Sequence, residues 1–169
     1  MTKFFVLDAG VLFSDWVKKK PESTFATTIG ILEELNNRPS LERAESLISV
    51  GRLIIESVDD SKIEQARKAS EKTGDSTVLS KHDLELIGLA LQRMDAGFDV
   101  VLVSTDLALL NTSKHLGLEI LDPENRMQHA IQWMQKCPAC GRISTDSSEI
   151  ECIVCGTKMK RKTKSRRQI

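Results

Sequence analysis

Two short stretches of the chain are apolar at every position. Residues 4–7 and 100–103 each place four apolar side chains in a row, without the alternation of a half-exposed strand. Such short, uninterrupted runs are typical of strands that are buried on both faces, as in a parallel sheet. Each run is followed within three residues by an acid, Asp8 or Asp106. We therefore predict two fully buried strands, each followed by a carboxylate.

Helical and strand patterns alternate around these two runs. Further strands are predicted at residues 24–28, 53–58 and 118–121. Helices are predicted at residues 9–16, 29–37, 41–50, 59–72, 81–94, 106–116 and 123–135. Strands that alternate with helices favour a doubly wound α/β fold with a parallel sheet. The character of the chain is expected to change at Lys136.

Four carboxylates occupy comparable places in this predicted fold. Asp8 and Asp106 follow apolar strands. Glu34 lies on the helix after the second strand, and Asp83 lies in the first turn of the helix that Ser80 is predicted to cap. Ligands of open α/β sheets bind beyond the carboxyl ends of the strands. Acids gathered there repel one another unless a cation neutralises them, and Mg²⁺ and Mn²⁺ prefer oxygen ligands. The set predicts a cation site able to cleave phosphodiesters.

Each acid also has an ordinary structural explanation. Asp8 can cap the helix that follows it, and two other acids lie in first helical turns, where the helix dipole favours negative charge. Glu34 can be a plain helical acid, and its neighbour Glu33 competes for the same role. We prefer Glu34 because Gly30 precedes it by one turn and leaves room beside it.

The order of these segments resembles the PIN-domain nucleases. The segments are the strand ending in Asp8, Ile-Leu-Glu-Glu-Leu at 31–35, Leu-Ser-Lys-His-Asp at 79–83 and Val-Leu-Val-Ser-Thr-Asp at 101–106. The resemblance covers residues 1–133. It implies a parallel sheet flanked by helices and Mg²⁺- or Mn²⁺-dependent cleavage of single-stranded RNA. The catalytic and metal-binding residues that it implies are Asp8, Glu34, Asp83 and Asp106, with support from the hydroxyl of Ser104 or Thr105.

A second module follows, with the motif Cys-x-x-Cys-Gly at residues 137–141 and again at 152–156. In a chain without a recognisable secretory signal, paired cysteines point to metal rather than to disulfides. Two such turns can supply four thiolates to one structural Zn²⁺. Redox Cys-x-x-Cys motifs are the alternative, but no thioredoxin-like pattern surrounds them. We predict a zinc ribbon over residues 134–157 that needs metal to fold. Its ligands would be Cys137, Cys140, Cys152 and Cys155.

Charge is balanced overall but unevenly distributed. The 169 residues carry 24 acids and 24 bases, yet seven bases and no acid follow Gly156. The segment over residues 158–169 is therefore a basic tail, expected to contact RNA phosphates. A disordered, solubilising end is the alternative. The candidate RNA-binding residues are Lys158, Lys160, Arg161, Lys162, Lys164, Arg166 and Arg167.

A PIN-like domain followed by a four-cysteine ribbon and a basic end is similar to the archaeal Nob-type endonucleases. This resemblance implies cleavage of precursor rRNA at the 3′ end of small-subunit (16S) rRNA, leaving 5′-phosphate and 3′-hydroxyl ends. It also implies the pre-ribosomal small subunit and its assembly proteins as partners. A toxin-type PIN RNase and a non-catalytic RNA-binding assembly factor are the alternatives. No apolar run approaches the ~18 residues of a membrane span, so we expect a cytoplasmic protein without a membrane partner.

Overall fold

The computed structural model describes residues 3–169, except for the side chain of Phe13; residues 1 and 2 of the predicted first domain lie outside this part. Five strands form a parallel sheet in the order β3-β2-β1-β4-β5. This confirms the expected fold class. The strands are β1 Phe4–Leu7, β2 Phe25–Thr27, β3 Leu53–Ile55, β4 Val100–Val103 and β5 Glu119–Leu121.

Helices connect and flank these strands. They are α1 Ala9–Phe13, α2 Ile29–Glu33, α3 Arg38–Ser49, α4 Asp60–Thr73, α5 Lys81–Asp95 and α6 Leu107–His115, and a 3₁₀ turn spans Val17–Lys19. The chain runs outward from β1 to β3, returns, and then continues through β4 and β5 on the other side. The strand order therefore reverses between β1 and β4, which is the point where ligands bind in such sheets.

The apolar runs form the centre of the core, as their pattern predicts. All four residues of β4 are buried, and so are the last three of β1. Helix α5 covers them with a buried stripe that includes Leu86, Ile87 and Leu91. This packing holds the carboxyl ends of β1 and β4 side by side.

Helix α3 begins earlier than expected. The sequence suggests that Pro39 ends a helix and that Ser40 begins the next one. Instead, α2 ends at Glu33, and Asn37 caps α3 by accepting a hydrogen bond from the Ser40 amide at 3.0 Å. Pro39 lies in the first turn of α3, where its missing amide proton would have no partner in any case.

The predicted helix over residues 123–135 is wrong. Residues His129–Lys136 form strand β6, which pairs antiparallel with β7 (Ile143–Ser144) and β8 (Lys160–Gln168). Within β6, the polar Gln132 separates Ile131 from Trp133, and β-branched and aromatic residues such as these two suit a strand. The hydrogen bonds that decide the outcome come from β8, far along the chain.

Most of the basic tail is therefore strand β8 and belongs to the same sheet as the cysteine turns. This sheet crosses the domain boundaries predicted at 133/134 and 157/158. We call residues 3–128 the body and residues 129–169 the ribbon. No helix in the described part of the chain combines the length and the apolar character that a membrane crossing requires.

Candidate active site

Asp8 lies at the centre of the candidate site, directly after β1. It caps α1, because its Oδ1 accepts a hydrogen bond from the Ala9 amide at 2.6 Å. Only 7% of Asp8 is exposed. The capping role suggested by the sequence is thus real, but it occupies one carboxylate oxygen and leaves the other directed towards a neighbouring strand.

Ser104 links Asp8 to Asp106 across the two central strands. Its hydroxyl donates to Asp8 Oδ2 at 2.6 Å and accepts from the Asp106 amide at 2.8 Å. Asp106 caps α6 by accepting from the Ala108 and Leu109 amides, and it is exposed. The two acids therefore stand at different depths, with Asp8 at the floor and Asp106 at the rim.

Asp83 enters the site from α5 through a complete capping box. The Asp83 amide donates to Ser80 Oγ at 3.1 Å, and the Ser80 amide donates to Asp83 Oδ2 at 2.7 Å. The two reciprocal bonds fix both the start of the helix and the orientation of the carboxylate. The predicted cap at Ser80 is confirmed.

Glu34 is held by a histidine to which the sequence alone assigned no role. Its Oε1 lies 2.9 Å from His82 Nδ1. Gly30 makes this contact possible, because a Cβ at that position would come within 2.4 Å of the His82 ring. The room beside Gly30 is thus filled by His82. Glu34 is half-buried, whereas Glu33 is exposed, so the geometry favours Glu34.

The acids act on one another electrostatically. Burial raises the pKa of Asp8 to about 6, against the lowering effects of the Ser104 and Ala9 hydrogen bonds, and the charges of Asp83 and Asp106 raise it further. Burial also raises the pKa of Asp83, and the nearby charges of Asp106 and Glu34 add to that effect. The structure therefore brings all four predicted acids into one site.

This site has an excess of negative charge. Within residues 3–169, none of the four carboxylates forms an ion pair with a lysine or arginine, and Glu34 meets only His82. Every donor is a hard oxygen, which suits a divalent cation such as Mg²⁺ or Mn²⁺. Among the described residues, no three carboxylate oxygens of the site lie as close together as the four cysteine sulfurs do.

Thr105 contributes differently from Ser104. Its hydroxyl lies against Gly10, where an added Cβ would come within 2.5 Å of it. The backbone carbonyl of Thr105 accepts a hydrogen bond from Arg126. Of the two candidate hydroxyls, only the Ser104 hydroxyl bonds a site carboxylate.

The four cysteines form a separate metal-binding group. All four Sγ atoms lie within 4.8 Å of one another, and two of the pairs are 3.5 Å apart. Tetrahedral Zn–S bonds of ~2.3 Å place sulfurs about 3.8 Å apart, so the group fits a closed Zn²⁺ site. Gly141 and Gly156 adopt φ of 76° and 69°, and their amides bond back to the carbonyls of Cys137 and Cys152. The residues of the predicted zinc ribbon therefore come together as a Cys₄ cluster.

The predicted RNA-binding residues fall into different environments. Arg161 is turned towards the body, where it forms an ion pair with buried Asp75 and stacks 4.3 Å above the Trp133 ring. Lys160, Lys162 and Arg167 stand opposite Lys136, Met134 and Ala130 in the β6–β8 ladder. Lys164 falls at the register shift, and Lys158 bridges to Glu151 just before β8. Arg166 stands opposite Ile131.

Asn111 and Asp75 fasten the ribbon to the body, and the sequence analysis missed both. The Asn111 side chain donates to the Ile131 carbonyl and accepts from the Ile131 amide, each at 2.7 Å. It also donates to Asp75 at 2.6 Å. No local sequence signal marks this contact, because its partners are 20 and 36 residues away from Asn111.

Comparisons with known proteins agree with this geometry. The family described as the PIN domain of ribonuclease matches residues 5–92. The chain is 29% identical to an Endoribonuclease Nob1 from Methanothermobacter thermautotrophicus, over 93% of this chain and 91% of that protein. It is 30% identical to the Endoribonuclease Nob1 of Archaeoglobus fulgidus, over 90% of this chain and 86% of the relative.

A second kind of relative matches a shorter part of the chain. Ribonuclease VapC1 of Thermoplasma acidophilum is 28% identical over 63% of this chain and 53% of its own length. A match of that length cannot include both Asp8 and Cys137. The Methanothermobacter match, in contrast, is long enough that it must include all four cysteines. Because of the matched domain and the two nearly full-length likenesses, the chain belongs to the PIN-domain ribonucleases and is an endoribonuclease of the Nob1 family.

Proposed function

We propose that this endoribonuclease cleaves single-stranded precursor rRNA at the 3′ end of small-subunit (16S) rRNA, in the cytoplasm, with a divalent cation held by Asp8, Glu34, Asp83 and Asp106. The observation that carries the proposal is the meeting of four acids, without a lysine or arginine partner in the described part of the chain, at the reversal point of the sheet. A bound Mg²⁺ or Mn²⁺ would supply activation of a water molecule and neutralise charge on the leaving oxygen.

The residues of this chain have distinct parts in the proposal. Asp8 offers the most buried oxygen, and Ser104 fixes its orientation. Asp106 at the rim and Asp83 on α5 complete the ligand set, and His82 holds Glu34 in place. Hydrolysis by water would leave 5′-phosphate and 3′-hydroxyl ends.

The ribbon supports this function by binding substrate. One structural Zn²⁺ held by the four cysteines would fix β6, β7 and β8 relative to one another. Lys160 and Lys162 then lie beside Lys136 on one face of the sheet, and like charges in adjacent positions favour a bound polyanion such as RNA. Arg161, paired with Asp75, would hold the ribbon to the body instead. We expect the pre-ribosomal small subunit and its assembly proteins as partners.

A different RNA target, of the kind cut by toxin-type PIN RNases, is the second candidate. The likeness to Ribonuclease VapC1 favours it. The ribbon counts against it, because the match to Ribonuclease VapC1 is too short to include both Asp8 and Cys137.

The decisive experiment is cleavage of precursor small-subunit rRNA fragments with and without Mn²⁺, with mapping of the new ends. Cleavage at the mature 3′ end, with 5′-phosphate on the downstream product, is the expected result. Asp8→Asn should lower the rate by at least about 10³-fold, since it removes a charged ligand without changing the shape of the side chain.

The adjacent pair Glu34 and Glu33 provides the matched control. Glu34→Gln should lose most activity, whereas Glu33→Gln, at the exposed neighbouring position, should retain it. Full activity of Asp8→Asn would remove the acids from the mechanism. Cleavage that ignores the mature 3′ end but needs the acids would favour the second candidate.

A further inference from the structure

A groove of about 540 Å³ separates the body from the ribbon. Helix α6 forms one wall, with Leu107, Ala108 and Asn111. Strands β6 and β8 form the other, with Trp133 and Arg166. Its volume lies within the range of ordinary ligand clefts in proteins.

Two residues that line the groove contact Asp106 or its neighbour Thr105. Ala108, in its wall, donates its amide proton to the Asp106 carboxylate at 2.7 Å. Arg126, also in its wall, donates to the carbonyl of Thr105, the residue before Asp106. A polymer bound at Asp106 therefore has the groove beside it.

The walls combine positive charge with apolar surface. Arg126 and Arg166 are exposed along them. Leu107 and Val78 are 43% and 50% exposed and offer apolar surface. Guanidinium groups suit phosphates, and apolar surfaces suit unstacked bases, which only a single strand can present.

Negative charge in the groove is already neutralised. The acid in its lining is Asp75, which is 1% exposed. Its oxygens accept hydrogen bonds from Arg161 and Asn111. Arg126 also pairs with the exposed Glu124 at 2.8 Å, and a phosphate could take the place of that carboxylate. An entering phosphate therefore meets Arg166 and Arg126, whereas at the catalytic site it meets uncompensated acids.

From these observations we infer that the groove binds the single-stranded RNA on one side of the scissile phosphate, with Arg126 and Arg166 contacting phosphates. The inference rests on the proposed nuclease function and adds a path for the substrate. It also separates two sets of ribbon bases, because Arg166 serves the groove while Lys160 and Lys162 lie on the other face of the sheet.

Strand β8 supplies a matched pair of variants for the test. Arg166 stands opposite Ile131 and lines the groove, whereas Arg167 stands opposite Ala130 and lines a different cavity. Both arginines are exposed, so each can be replaced without loss of the fold. Arg166→Gln and Arg167→Gln remove the same charge from the same strand on opposite faces.

The test measures the affinity of each variant for a fluorescein-labelled single-stranded RNA, across a salt series, by fluorescence anisotropy. The RNA is short enough to reach from the acids through the groove but not around the ribbon. Arg166→Gln should bind several-fold more weakly and lower the slope of log K against log salt by about 0.7. Arg126→Gln should do the same, whereas Arg167→Gln, outside the groove, should weaken the binding of this short RNA less than Arg166→Gln does.

A cross-linking experiment adds a direct readout of position. The same RNA carrying 4-thiouridine on one side of the scissile phosphate should cross-link to peptides that contain Trp133 or Leu107. Equal affinities for Arg166→Gln and Arg167→Gln, or cross-links confined to the other face of the sheet, would overturn the inference. Cleavage that survives Asp8→Asn would instead contradict the nuclease mechanism while leaving the binding result intact.

Discussion

The body and the ribbon reach stability by different means. The body has an extensive apolar core that runs from β1 through α5 to β4 and α6. The buried cluster of the ribbon consists of Cys137, Cys152 and Met159. Burial of apolar surface stabilises the first in proportion to area, whereas so small a cluster cannot offset the conformational entropy of some 40 residues. The comparison indicates that the ribbon needs a bound metal and its contacts with the body for the stability that the body obtains from apolar packing.

The body and the ribbon also differ in the sign of the charges that they gather on their surfaces. The body keeps acids close together at its functional site, and burial raises the pKa of its central carboxyl, Asp8. The ribbon places bases side by side on an exposed sheet, as at Lys136 and Lys160. Each arrangement is unfavourable alone and becomes favourable with a ligand of opposite charge, a cation in one case and a phosphate chain in the other.

Loss of zinc should have the largest effect and should separate the two regions. Replacing Cys137 and Cys140 by Ser should abolish zinc binding and the pairing of β6 with β8, because structural zinc contributes about 10–16 kcal/mol in small domains. The body should remain folded. Its melting temperature should fall by a few degrees, since the Asn111 and Asp75 contacts are lost.

Metal analysis, limited proteolysis and thermal melting followed by circular dichroism would check this outcome. Chelation of the unaltered protein, followed by return of Zn²⁺, is the control and should restore the ribbon. Collapse of the whole chain in one transition that follows zinc content would contradict an independently folded body.

A pH series should show the cost of burying Asp8. Because its folded pKa of about 6 lies above the unfolded value of ~3.9, ionisation is harder in the fold. Without divalent cations, this carboxyl contributes stability that is fully present below pH ~4 and is lost as pH rises to about 6. The loss is up to about 3 kcal/mol at pH 7.

Urea unfolding of the unaltered protein and of Asp8→Asn would isolate this contribution. Asn still caps a helix but does not ionise. The variant should therefore become the more stable of the two as pH rises from 4 to 7. Parallel pH profiles would show that Asp8 ionises as easily in the fold as in the unfolded chain.

The contact that joins the two regions should have an intermediate effect. Asp75→Ala removes the acceptor of both Arg161 and Asn111 and should cost about 1–3 kcal/mol of unfolding free energy. Arg161→Met should be less costly after Asp75→Ala than before it, because the two residues act on each other. Urea unfolding of the two single variants and the double variant measures this coupling.

An exposed ion pair on α4 offers the comparison for that experiment. Arg67 and Glu64 lie 2.7 Å apart, with side chains 46% and 44% exposed. Arg67→Met should cost much less unfolding free energy than Asp75→Ala, because exposed ion pairs contribute little. Similar costs for the Asp75 and Arg67 variants would mean that the ribbon is not fastened to the body through Asp75.

The smallest effect is expected at Gly30, within the candidate active site of the body. In Gly30→Ala, the new Cβ would displace the His82 ring and so release Glu34. Loss of a residue that orients a ligand typically lowers activity by about 10-fold or somewhat more. The Mn²⁺ concentration needed for half-maximal cleavage should rise.

His82→Ala tests the cause, because it removes the ring that Gly30→Ala would displace. The double variant should be no worse than His82→Ala alone. Additive losses would show that Gly30 affects the site by another route.

The sequence by itself determined the features that depend on a few neighbouring residues. Uninterrupted apolar runs identified β1 and β4, and an acid after each run located Asp8 and Asp106. The spacing of Ser80 and Asp83 gave the capping box. Two Cys-x-x-Cys-Gly turns located the four cysteines that meet in one cluster. Each of these signals is local, because helix caps, buried strands and metal-binding turns are formed within a single short segment.

Tertiary structure alone decided the features whose partners are distant in the chain. Residues 129–136 became a strand rather than a helix because β8 supplies their hydrogen bonds. Arg161 differs from the other bases of the tail because Asp75, 86 residues away, draws it into the body. His82 acquired a role because Gly30 and Glu34 lie beside it. Strand pairing and buried ion pairs depend on which segments meet in space, and no local pattern carries that information.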